Sequence, residues 1–330
     1  MPGSSRFTRY KRRVLACSVS VDLDEVADYA AIHGLARGAE CHAVYDLALA
    51  RVLNFAAGFA LPLTLFVIAR DLDRPQNLTG LQRAVSEGHE IGNHSLDHFY
   101  DLTRRPKSEQ TYQVVEANER ITALLGVRPR GFRAPGYTMT DGLMNVLHGA
   151  GFDYDSSVFP CPAYYAAKAA TRLSMRLIGR ASRSVLDSPN VLRAPTAPYR
   201  SGTPYWGIGT GVLELPIQVV GPLRLPFIGT SLTLLGPTGA RLLTRGLLGL
   251  PFVNLELHGI DFLEARDVPN ALRAVQPDLH VPLSRKLETL AGVLKTLRSH
   301  GYAFFRLAEG ADTLATRSPL HGSRRGVDAP

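Results

Sequence analysis

Cysteine is scarce: Cys17, Cys41 and Cys161 are the only three in 330 residues, and no Cys-x-x-Cys spacing occurs. This argues against a disulfide framework and a thiolate zinc site, and leaves free buried thiols in a reducing compartment as the default. Long apolar runs are missing too. No stretch approaches the roughly 18 unbroken apolar residues of a membrane span, and the nearest, residues 225–240, is interrupted by Pro226, Gly229, Gly236 and Pro237. No secretion signal is expected either. Lys11-Arg12-Arg13 lead into the apolar stretch from Val14 to Val21, which runs straight into Asp22 and Asp24 with no small-residue cleavage site. The expected location is therefore the cytoplasm. Neither paired zinc ligands nor an aromatic-rich RNA-binding motif is found, so no nucleic-acid partner is expected.

Positive charge is plentiful. The formal net charge is +8 and the sequence pI about 9.6. Arg6, Arg9, Lys11, Arg12 and Arg13 lead the chain, and Arg324 and Arg325 close it. An anionic partner is one explanation, either peripheral contact with an acidic membrane or a phosphate-bearing substrate; solvated basic tails are the plainer one.

The chain alternates between two hydrophobic periods. Residues 1–13 read as a flexible basic arm, Val14 to Val21 as a buried strand, Val44 to Phe55 as a helix and Leu61 to Ile68 as a second buried strand. Leu78 to Glu87 reads as a helix stopped by Gly88, His89 to Asn93 as a strand, and Ser108 to Leu125 as a helix stopped by Gly126. A strand at Gly131 to Arg133, a helix near Asp141 to Gly149 and a strand at Phe152 to Asp155 continue the series. After residue 251 come a strand at Phe252 to His258, an amphipathic helix at Leu283 to Leu297 and a final strand at Tyr302 to Leu307. Strands alternating with helices imply a parallel sheet, open or closed into a barrel. The rhythm fails over about 156–251, where prolines crowd and Lys168, Arg172, Arg176, Arg180 and Arg183 recur at helical spacing. That stretch is expected to be an insertion or subdomain within a domain covering 14–316, followed by a disordered tail at 317–330.

Polar groups gather where these strands end. Asp22 and Asp24 lie two apart, so they point to one side at the end of the first strand, where α/β proteins build sites. Two carboxylates held close favour a cation or a basic partner, although Asp-x-Asp alone is also a common turn or cap. His94 and His98 follow the third strand at a spacing of four; on a helix or turn both imidazoles can meet one metal. An Asp with two His leaves coordination positions open, which suits hydrolysis. Arg133 precedes Pro135 and Gly136; it can pair with a carboxylate, and glycine lets its backbone N–H approach a ligand. The plain alternative is a surface arginine before a proline turn. Asp155-Ser156-Ser157 ends the next strand. His258 ends an apolar one, where a histidine alone is more often packing, yet beside the others it becomes a candidate general acid.

The ordered set Asp-x-Asp, His-Ser-x-x-His, Arg-x-Pro, Asp and Leu-x-His resembles the five motifs of the polysaccharide deacetylases, carbohydrate esterase family 4 with its NodB homology domain. The resemblance spans roughly Val14 to Leu307, with no motif over 156–251. It implies an α/β fold, a distorted (β/α) barrel carrying the large insertion, and one divalent metal, usually Zn2+, with Co2+, Ni2+ or Mn2+ as alternatives. It also implies that Asp24, His94 and His98 hold the metal and that Asp22 is the general base. Arg133 would orient Asp22, the Gly136 N–H would stabilise the oxyanion, and His258, held by Asp155, would protonate the leaving amine. The substrate so implied is an acylated amino sugar.

Two departures bear on the substrate. The family's commonest first motif has adjacent aspartates, whereas Leu23 separates them here, which resembles the branch with deformylases, small amidases and some peptidoglycan deacetylases; the roles of Asp22 and Asp24 could then be exchanged. The fourth motif lacks its usual tryptophan, for which Phe159 or Trp206 could substitute. Tyr137, Trp206 and His33 are the expected further substrate contacts. The other possibilities are a C–N amidase acting on a small molecule and a non-catalytic glycan- or lipid-binding module.

Overall fold

The computed structural model describes residues 15–35, 41–177, 179 and 182–317. The basic arm at 1–13 and the tail from 318 onward lie outside the described residues. Leu15–Asp22 forms β1, followed by α1 (Val26–Ile32) and by α2 (Leu49–Gly58), which a π-helical turn at Val44–Ala48 leads into. Then come β2 (Leu63–Val67), α3 (Pro75–Ser86), β3 (Glu90–Asn93), α4 (Lys107–Leu125), β4 (Gly131–Phe132), α5 (Asp141–Gly149) and β5 (Tyr154–Asp155). Every residue of β2 is buried, because Leu63, Leu65 and Val67 pack against the helices while Phe66 faces inward onto Tyr154 and Leu307, so the strand needs no polar side. Gly126 ends α4 in the left-handed region at φ 70°, a backbone state that costs glycine little.

Within 156–251, α6 (Pro162–Leu177) precedes two strands, β6 (Tyr199–Ser201) and β7 (Ile208–Glu214). They extend the main sheet: β7 runs parallel to β5, and β6 antiparallel to β7. A separate hairpin, β8 (Val219–Val220) with β9 (Leu225–Pro226), leads into α7 (Gly229–Arg245). The chain finishes with β10 (Phe252–His258), α8 (Asn270–Arg273), α9 (Leu283–Ser299), β11 (Tyr302–Phe305) and α10 (Leu307–Arg317). α10 was not foreseen; Arg317, expected to begin the tail, closes this helix instead.

The sheet runs β10-β1-β2-β3-β4-β5-β7-β6, and β11 pairs with β1. Leu15 to Ser18 of β1 pair with β11, and Val19 to Asp22 pair with β2. The parallel sheet curls into the expected distorted (β/α) barrel and ends on an antiparallel edge. Leu65, Val253, Leu290 and Leu297 share one core between sheet and helices; fully burying such a side chain contributes roughly 1.5–3 kcal/mol.

Register decides what happens at the rim. Asp22 sits opposite His258, and Phe132 opposite both Asn93 and Asp155. Parallel pairing therefore brings Asp22, His94, Arg133, Ser156 and His258 to one level at the C-terminal edge. Among the described residues, no helix is long and apolar enough to cross a membrane.

Candidate active site

Asp24, just beyond β1, meets two imidazoles. Its Oδ1 is 3.1 Å from His94 Nε2 and its Oδ2 is 3.4 Å from His98 Nε2. All three side chains are buried, and their ligand atoms lie within 4.8 Å of one another. The segment between the histidines is a turn rather than a helix, with Ser95 at φ 66° and His98 at φ 54°. Side chains hold these left-handed residues: Ser95 N–H donates to Asn93 Oδ1 at 2.8 Å, and His98 N–H to Ser95 Oγ at 3.1 Å. Gln113 on α4 fastens the far side, accepting from Asp97 N–H and donating to the Asp97 carboxylate.

The donor chemistry fits a divalent cation. His94 Nδ1 donates to the Arg133 carbonyl at 2.7 Å, which leaves the Nε2 lone pair facing Asp24. Asp24 Oδ1 and His98 Nε2 are buried without a hydrogen-bond partner, a costly state that a bound ion relieves. Asp28 on α1 stands 3.6 Å behind His98 Nδ1. Burial opposes charge on both groups. Even so, the two imidazoles hold Asp24 below the ordinary carboxylate range, and Asp24 with Asp28 pushes His98 up to about 9. The negative field that draws a proton there equally favours a metal ion in its place.

Asp22 lies alongside. Burial raises its pKa, against the pull of Arg133 and His94. Arg133 Nη1 donates to Asp22 Oδ1 at 2.6 Å and to Ser20 Oγ at 2.9 Å, while Nε and Nη2 bind the Ser156 carbonyl and hydroxyl. The guanidinium also stacks over the Phe66 ring at 4.2 Å. Arg133 has 0% exposure, so this fork is rigid, and it presents Asp22 Oδ2 unpartnered, 3.9 Å from His94 Nε2 and 4.0 Å from His258 Nε2.

His258 rests on Glu256, whose Oε1 is 2.7 Å from Nδ1. This corrects the expectation for Asp155: Glu256 occupies the place beside His258. Asp155 instead accepts from Ser157 Oγ at 2.7 Å, and Ser157 Oγ accepts from Ala134 N–H at 2.8 Å. Asp155 thus braces the turn after Arg133. Burial raises both Asp155 and its neighbour Glu214. Glu256 was missed because it sits inside an apolar strand; its place two residues before His258, on the same face, was the available signal. Burial alone would lower His258, yet Glu256 drives it well above an ordinary imidazole. Glu256→Gln should therefore lower the His258 pKa and move the alkaline limb of kcat/KM to lower pH. An unmoved limb in the pH–rate profile would discard Glu256 as the partner that tunes it.

A cavity of about 340 Å3 joins these groups. Asp22, Asp24, His94, Gly136, Tyr137 and His258 all face it. Gly136 stands at φ 61°, with Tyr100 only 3.0 Å from where a Cβ would lie. The Tyr137 hydroxyl shares a 3.2 Å hydrogen bond with His258 Nε2. Phe159 backs the Tyr137 ring at 5.8 Å between centroids. Two residues not foreseen come from α6: Tyr164, and Lys168, whose ammonium donates to the Gly136 carbonyl at 2.7 Å. Trp206 and His33 are not brought to the cavity. Trp206 packs edge-on against Tyr205 at 5.0 Å, and His33 hydrogen-bonds Gln276 at 3.0 Å.

Residues 45–154 match the family model described as polysaccharide deacetylase, which bears out the family resemblance over the His94, His98 and Arg133 motifs. Among solved structures, the fold is similar to that of a Pseudomonas aeruginosa protein provisionally assigned as a polysaccharide deacetylase. The TM-score is 0.58 and the identity 14%, over 94% of each chain. It is also similar to a provisionally assigned polysaccharide deacetylase from Mycobacterium smegmatis, with TM-score 0.53 and 16% identity over 94% of this chain and 95% of that one. At these identities the likeness is one of fold. No curated protein sequence matches the chain.

Proposed function

We propose that this protein is a metal-dependent hydrolase removing an N-acyl group, most simply acetyl, from an amino sugar. One observation carries the proposal: Asp24 and His94, which cluster with His98, line one cavity together with Asp22, whose Oδ2 is unpartnered, and His258. A divalent ion held by those three residues, Zn2+ by the preference of one carboxylate with two imidazoles, would supply Lewis acidity at the acyl carbonyl. Asp22, oriented by Arg133, takes a proton from the attacking water. His258 gives a proton to the leaving nitrogen from Nε2, with Glu256 on the other ring nitrogen. The Gly136 N–H is the candidate donor to the developing oxyanion.

The cavity volume supports a single sugar or head group over a long polymer, since small-ligand sites occupy about 300–1,000 Å3. A cytoplasmic glycan precursor, free or lipid-linked, is accordingly the proposed substrate. The same volume favours the second reading, an amidase or deformylase acting on a small non-sugar molecule. A non-catalytic glycan- or lipid-binding role is disfavoured by the joint presence of base, acid and metal-binding residues.

Mass-spectrometric screening of N-acetyl and N-formyl amino sugars should detect free amine and released acid with divalent metal present and none after chelation. Chelation should also lower the thermal midpoint, because a ligand bound only by the folded state stabilises it. Release that persists unchanged in chelator, at an unaltered midpoint, would exclude the metal site. Small non-sugar amides hydrolysed in preference to every sugar would select the second reading.

A further inference from the structure

The face around the cavity mouth is apolar where a soluble surface is ordinarily polar. Three elements rim the mouth: α6 through Tyr164 and Lys168, β9 through Pro226, and α7 through Leu234. On the outward side of α6, Ala166, Ala170, Leu173 and Leu177 recur at helical spacing and are exposed, with Leu173 60% and Leu177 77% accessible. At the tip of the β8–β9 hairpin Leu223 is 75% exposed, and on α7 Leu234 and Leu235 are half exposed. Exposed leucines on or beside three elements that line one cavity point to an interaction surface.

The charge on the same segments selects the partner. Residues 156–186 and 215–255 together contain eight Lys and Arg and no Asp or Glu. Arg176 follows Leu173 and precedes Leu177, Arg224 adjoins Leu223, and Arg241 and Arg245 lie on α7 beyond its break at Gly236-Pro237. Two such faces would repel each other, which disfavours pairing with a second copy. Leucines entering the acyl boundary while arginines reach phosphate is how an amphipathic surface binds an anionic bilayer.

We propose that the face formed by α6, the β8–β9 hairpin and the start of α7 docks on an anionic phospholipid surface, so that the cavity opens at head-group depth. The docking stands on surface geometry and charge alone. Only its consequence, that the acylated head group reaches the cavity from a lipid carrier, rests on the proposed function.

The test is flotation of metal-loaded full-length protein with two kinds of vesicle, phosphatidylcholine alone and phosphatidylcholine with about one-third phosphatidylglycerol. The protein should float with the anionic vesicles and stay behind with the neutral ones. The triple variant Leu173→Ser/Leu177→Ser/Leu223→Ser should weaken vesicle binding by roughly 1,000-fold, at about tenfold per leucine side chain. Its thermal midpoint should be unchanged, because these side chains are exposed. Arg176→Glu/Arg224→Glu should weaken binding as well. Absence of binding to anionic vesicles would overturn the proposal. So would binding that survives the leucine variant, which would place the contact elsewhere, such as the basic arm at 1–13. Leucine-dependent dimerisation in sedimentation without vesicle binding would overturn it in favour of a second copy. The readout uses no substrate, so leucine-dependent flotation of a protein that hydrolyses no amide would support docking while removing the proposed function.

Discussion

Asp22→Asn is expected to reduce the rate of acyl release about 10²–10⁴-fold, the range of a positioned general base, while metal content and thermal midpoint are retained. Asn keeps the volume and an oxygen for Arg133, but it cannot take a proton at the atom that Asp22 leaves unpartnered. Acetate release at saturating substrate together with elemental analysis for the metal separates the two roles. If the variant loses its metal instead, Asp22 is a ligand and the roles of Asp22 and Asp24 are exchanged. Full activity with metal bound would remove Asp22 from the chemistry.

Arg133→Met is expected to cost about 3–5 kcal/mol of stability, the usual consequence of stranding one charge of a buried pair. From the end of β4 the guanidinium bridges Asp22 and Ser20 of β1 to Ser156 beyond β5, with no exposure. Methionine fills much of the volume and satisfies none of these groups. Asp22 loses the cation that opposes its burial, so its pKa should rise further and the acidic limb of the rate profile should move to higher pH. Urea denaturation of the metal-free protein measures the stability term. Adding Asp22→Asn to Arg133→Met should restore part of it, because the stranded charge is then gone. A loss below about 1 kcal/mol would show that the fork is not what holds this edge of the sheet together.

The strands and helices that carry the motifs were legible along the chain because their signals are local. Apolar runs bounded by charge marked β1, β2 and β10, and glycines after periodic segments marked the ends of α3 and α4. Motif order then sufficed to nominate Asp22, Asp24, His94, His98, Arg133 and His258, since each sits at or just beyond a strand end whatever the sheet order. The partner of His258 was not legible. Deciding between Asp155 and Glu256 requires knowing which strands lie side by side, and β10 neighbours β1 while β5 lies four strands from β1 along the sheet. Trp206 and His33 were nominated by residue type and by proximity along the chain, neither of which reports distance across a fold. Tyr164 and Lys168 were invisible for the opposite reason: only the packing of α6 over the cavity gives a lysine in a basic, alanine-rich helix the Gly136 carbonyl as its partner.

The sequence by itself determined the class of architecture and the residue types at each strand end, because periodicity and short motifs are written within a few residues of one another. Only the tertiary structure decided which carboxylate serves which histidine, that β6 and β7 extend the main sheet, and that α6, β9 and α7, elements carrying exposed leucines on or beside them, all line one cavity. Each of these depends on contacts between segments far apart in the chain, set by parallel register and side-chain packing rather than by local pattern.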